Sequence, residues 1–167
     1  MKLDILKNKI KNNEIDEATK MVSEIGKSGF KAATEDLIKY LEETTSSKLR
    51  NAIAIALSDL GAQDSIVPIM KLLKDPKTLG NRGTLLYALE AFDCTSYFDD
   101  IIEFLFVDNF EVSHQSLSLI ESSVKQIDSK ALDRYNSKIK AEINKAEEKI
   151  EFLSDALELL SKIKVRE

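Results

Sequence analysis

A repeat of 32 residues limits what this chain can fold into. Moving the segment SSKLRNAIAIALSDLGAQDSIVPIMKLLKD, residues 46–75, forward by 32 places Ala56-Leu57 on Ala88-Leu89, Leu60 on Phe92, Ile69 on Ile101 and Leu73 on Leu105. Arg50 falls on Arg82, and a further shift of 31 carries Leu89 onto Ile120. Each unit holds two apolar stretches with helical spacing. A single helical hairpin cannot cover its own apolar face, so the core must come from stacking one hairpin on the next. The period predicts an all-α chain: a short α-solenoid of antiparallel hairpins, about three or four of them, with no sheet.

The rest of the chain fits around that stack as one domain, residues 1–167. Residues 1–44 read as an atypical first hairpin with a cap. Residues 2–12 make a short amphipathic pattern, and Asn13 precedes a helical stripe through Ile15, Ala18, Met21, Val22 and Ile25. That helix is expected to stop near Gly26, with Ser28-Gly29 as the turn. Phe30, Ala33, Leu37, Ile38 and Leu41 line its partner.

Residues 46–127 hold the repeats. Leu49, Ile53, Ala56, Leu57 and Leu60 form a buried stripe, and Gly61 suits a helix end that needs positive φ. Ile66, Ile69, Met70, Leu72 and Leu73 line the second helix, with Pro68 close enough to its start to be tolerated. In the next copy the stripes are Leu85, Leu86, Leu89 and Phe92, then Phe98, Ile101, Ile102, Leu105 and Phe106. The third copy runs through Phe110, Val112, Leu117, Ile120 and Val124, with Ser123 at the position of Leu60 and Phe92.

From residue 129 to 167 the pattern changes. Ile139, Ile143, Ala146, Ile150, Leu153, Leu157 and Leu160 are spaced by alternating steps of four and three, which is heptad spacing. No Gly or Pro follows residue 130, so this region reads as one long helix, or as a helical hairpin broken near Asn144. Docking of the seam within the chain is the preferred reading, with self-association through this helix as the alternative.

The repeats resemble HEAT repeats. The matching elements are Leu49-Arg50, Ala56-Leu57, Leu60-Gly61 and the trailing IVPIMKLLKD, best over residues 46–75 and recognisable over 79–108. The resemblance implies a curved scaffold that binds a partner on the concave face made by the second helices. It implies no enzyme class, because a fold does not carry a function with it. Some HEAT-repeat relatives act on DNA or on bilins, and the additional residues for either activity are not found in this sequence.

Composition narrows the classes. Apolar residues make up 43% and charged residues 32%, which argues against disorder. A single Cys excludes an intrachain disulfide framework, and no stretch is long and apolar enough to span a bilayer. The expectation is a cytoplasmic protein. The formal net charge is −5, concentrated in residues 79–128, where nine acidic and two basic side chains leave −7. A phosphate backbone needs clustered positive charge, so nucleic-acid binding is not expected; a basic protein partner is.

Candidate partner-binding residues come from the repeat alignment. Lys71 maps to Glu103 and then to Arg134, Val67 maps to Asp99, and Lys74 maps to Phe106. Lys71, Asp99, Glu103, Phe106 and Arg134 are therefore expected to line one face of the stack. The plainer reading makes the charges a solvated edge and Phe106 part of the core. Asp99, Asp100, Glu103, Asp108 and Glu111 lack calcium-loop spacing, and His114, the only histidine, has no companion ligand in sequence. A pairing of Cys94 with His114 is not established by their separation, and both read as non-catalytic. Tyr87 and Tyr135 read as partly buried repeat residues. No catalytic, cofactor or metal site is expected.

The function expected on these grounds is a non-catalytic protein-binding module or adaptor. A bacterial immunity protein, an acidic antidote covering a basic toxin or nuclease, is a concrete alternative. A small helical-repeat lyase or glycosidase is the alternative of a different class.

Overall fold

A computed structural model describes residues 2–163. Every regular element among the described residues is a helix, with no strand, and they divide into two compact units at residues 126 and 127.

The first unit begins with α1 (Lys2–Lys11) and α2 (Ile15–Lys27). Next come α3 (Thr34–Glu43), α4 (Ser47–Asp59), α5 (Ile66–Lys74), α6 (Arg82–Leu89), α7 (Phe98–Ile102) and α8 (Phe110–Ser123). The helices α2, α4, α6 and α8 pack side by side as a first row. A second row of α1, α3, α5 and α7 packs against it, with a shallow groove between each neighbouring pair. Successive helices alternate between the rows, and the sequence neighbours that pack most closely are α1–α2, α3–α4, α5–α6 and α7–α8. This is a short solenoid-like stack of helix pairs.

The core lies between the rows. Leu37, Leu41, Leu49, Ile53, Leu57, Ile69, Leu73, Leu85, Leu86 and Leu89 are fully buried, as the apolar spacing predicts. Burying a Leu or Ile side chain contributes about 1.5–3 kcal/mol, so this shared layer dominates the stability of the stack. Arg50 and Arg82 match under the 32-residue shift because both serve packing between helices. Arg50 is 2% exposed, and its Nη2 donates to the carbonyl of Thr44 at the end of α3. The Arg82 guanidinium lies 5.5 Å from the centre of the Phe104 ring.

Helix ends follow local chemistry. Ser46, Asn109 and Asp128 each place a side-chain oxygen on a backbone N–H in the first turn, at Leu49, Val112 and Ala131. Gly61 has φ +64, and the amides of Gly61 and Ala62 return to the carbonyls of Ser58 and Leu57. That is a Schellman end, which favours glycine.

Two expectations need correction, while the end of α2 is as expected: it stops at Lys27, one residue past Gly26, and Gly29, at φ +67, makes the turn. Gly26 is needed for a close approach, since a Cβ there would lie 2.9 Å from the Ala56 Cα on α4. Leu105 is not the buried residue that ends the second stripe; Phe104 is. After Ile102 the chain tightens into a 3-10 turn over Glu103–Phe106, and three residues per turn changes which side chain points inward. In α8 the buried stripe is Val112, Ser116, Leu119 and Ser123, whereas Leu117 is exposed. The two serines are tolerable inside because Ser116 Oγ donates to the Ile101 carbonyl at 2.6 Å and Ser123 Oγ to the Glu90 carbonyl at 3.1 Å.

The second unit is built on α9 (Ser129–Ser161), 33 residues with no break at Asn144. The sequence left open a single helix or a hairpin; α9 is the single helix.

Candidate functional site: the second-helix face

The second row presents α3, α5 and α7 with grooves between them. Between α5 and α7 lies an open depression of about 300 Å³, lined by Val67, Met70, Lys71, Lys74, Tyr97 and Asp100. Lys74 Nζ bridges it to Asp100 Oδ1 at 2.7 Å. Both ends of that pair are substantially exposed, so it adds little to stability. Lys71 also borders a smaller groove of about 100 Å³ toward α3, with Glu42, Pro68, Leu72, Asp75 and Lys77. Lys71 therefore stands on the ridge between two grooves.

Asp99 and Glu103 are exposed, and Phe106 is half-buried. Asp99 and Glu103 are four apart, one helical turn, and Glu103 and Phe106 are three apart on the 3-10 turn, where residues at that spacing eclipse. The connection to the next repeat runs through Lys74 and Asp100, which the alignment did not pair. Arg134, the remaining candidate, lies on α9 in the second unit, its guanidinium 4.6 Å from the Tyr135 ring centre.

The first row carries a feature that sequence reading missed. Ile55, Gly83, Thr84, Tyr87, Glu111 and Gln115 surround a shallow depression of about 250 Å³ on α4, α6 and α8. Tyr87 is 53% exposed, more than a partly buried repeat residue would be. Ile55 and Tyr87 are themselves 32 residues apart. An apolar pair at equivalent positions outside the buried stripe was the available signal.

Cys94, His114 and Asp93 lie in three different settings. Cys94 is fully buried, its amide donates to the Ser123 carbonyl, and burial pushes its thiol up to about 11. His114 is exposed and its ring packs beside Phe110 at 5.9 Å between centres. Asp93 is an exposed turn acceptor: hydrogen bonds from the Thr95 side chain, Lys125 Nζ and the Thr95 amide lower its carboxyl to about 2. Among the described residues no three His, Cys, Asp or Glu side chains converge in a way that would hold a metal ion. No helix among them is long and apolar enough to cross a membrane.

The PBS lyase HEAT-like repeat family matches residues 49–75. This segment is α4, its Schellman end and α5. No curated protein and no solved structure matches the chain significantly.

Proposed function

We propose that this chain is a non-catalytic protein-binding module that takes a basic segment of another protein on the second-helix face. The observation that supports the reading is the exposure of Asp99 and Glu103, with half-buried Phe106, along α7 and the 3-10 turn that follows it, where Asp100 lines a depression together with Val67, Met70 and Tyr97. Two carboxylates one turn apart attract and orient a cationic segment. The apolar floor and the Phe106 ring give the contact that charge alone does not supply. The excess of acid in residues 79–128 extends the same field beyond the site. Lys71 and Lys74 mark the α5 border, where the charge changes sign and limits how a basic partner aligns.

A toxin or nuclease neutralised by this chain would be one such partner, and the identity of the captured protein decides that narrower reading. The word lyase belongs to the matching repeat family; the residues matched here are the packing residues of one hairpin. The test is co-purification from native lysate, comparing wild type with Asp99→Lys/Glu103→Lys. Loss of a captured protein on charge reversal supports the proposal, and capture unchanged across a range of salt overturns its electrostatic basis.

A further inference from the structure

We propose that α9 pairs antiparallel with α9 of a second copy of this chain, in one register fixed by charge. The proposal concerns the second unit and does not depend on what the repeats bind. Ile143, Ala146, Ile150, Leu153, Leu157 and Leu160 are exposed along the helix, with Ile150 at 64% and Leu157 at 70%, and Ile139 is half-buried. Exposed apolar residues in heptad register form a seam that another helix can cover. Heptad spacing of 3.5 residues per turn drifts against 3.6 on a straight helix, so a left-handed supercoil keeps such a seam in contact. At 1.5 Å per residue the 33 residues give about 50 Å of helix for that contact.

The flanking charges choose the occupant and its direction. Asn136, Ile143, Ile150 and Leu157 take the a positions, and Leu132, Ile139, Ala146, Leu153 and Leu160 take d. Lys140 and Glu147 then fall at e, and Glu142 and Lys149 at g. In a parallel pair each g faces the following e of the other helix, which sets Glu142 against Glu147 twice. In an antiparallel pair e faces e and g faces g. With Ile143 level with Ala146 and Ile150 level with Ile139, Lys140 meets Glu147 twice and Glu142 meets Lys149 twice. A slip of one heptad in one direction sets Glu147 against Glu147 and Lys149 against Lys149. A slip in the other sets Lys140 against Lys140 and Glu142 against Glu142. Only the central register pairs opposite signs at all four contacts.

That register has two weak points. Asn136 is level with Leu153, and Glu142 also bonds Lys145 on its own helix at 2.7 Å. Phe152, Leu159 and Ile163, also exposed, widen the apolar band toward the C-terminal end. Antiparallel pairing lays that wide end beside the start of the other α9, whereas parallel pairing would set two wide ends together at one tip.

Sedimentation velocity on the full chain, from low to high micromolar, tests the proposal. The expected result is a reversible dimer that Ile150→Asp abolishes without loss of helical content. Glu147→Lys should weaken it about tenfold, since two attractions become repulsions, and adding Lys140→Glu should restore it. A dimer tightened by Glu147→Lys would show parallel pairing and overturn the proposal. A chain that stays monomeric throughout, its seam covered within the molecule or by another protein, would also overturn it.

Discussion

At the residue scale, two side chains show how environment assigns a role that residue type alone does not. Cys94 is a nucleophile by chemistry and a core residue by position. Its desolvated thiol, raised from 9.0 to about 11, stays protonated at neutral pH. Labelling by a thiol reagent should therefore follow unfolding, giving a slow native rate that rises with urea. The sign of the pH effect is also determined. A thiol whose folded pKa is raised contributes stability that is present below the unfolded value and lost as pH rises from about 9 toward about 11. Rapid labelling of the native protein at neutral pH would contradict this burial. Gly26 makes the complementary case. Gly26→Ala should destabilise the chain by about 1–3 kcal/mol in urea unfolding, because the new Cβ meets the Ala56 backbone across the α2–α4 contact. A neutral substitution there would mean that the two helices are farther apart.

At the element scale, the repeats were legible wherever a helix was regular. Leu49, Ile53, Leu57 and Leu60 carry an unbroken period, and the residues they name are buried. Legibility failed where the period itself changed. The 3-10 turn over Glu103–Phe106 shifts the inward position from Leu105 to Phe104, and nothing in an apolar run of Phe, Leu and Phe announces the tighter winding. In α8, the pattern of large apolar residues pointed to Leu117, while two serines satisfied by carbonyls of the preceding hairpin occupy the core face. Polar core residues are invisible to a reading based on hydrophobic spacing. For the candidate site, the 32-residue shift pointed to Asp99, Glu103 and Phe106, whereas the Lys74–Asp100 bridge and the exposure of Tyr87 depend on packing between helices that no linear spacing encodes. The 3-10 assignment has a direct consequence. Phe104→Ala should cost about 3 kcal/mol or more, and Leu105→Ala distinctly less. The reverse order in urea unfolding would restore a continuous α-helix through Phe106.

At the scale of the whole molecule, the repeats and α9 offer two kinds of surface. Residues 1–126 contain a core shared between two rows of helices, and Asp99 on α7 and Glu103 on the following turn are exposed at its surface. Residues 127–167 carry the heptad seam. The central claim is that the second-helix face holds a basic protein through Asp99, Glu103 and Phe106. Its most direct measurement is the salt dependence of affinity for the captured partner, in wild type, Asp99→Lys/Glu103→Lys and Phe106→Ala, each first shown to be folded. Affinity should fall as salt rises, drop by at least about tenfold on charge reversal, and weaken with little change in salt dependence in Phe106→Ala. Equal affinity in wild type and the charge-reversed chain at every salt concentration would contradict the claim.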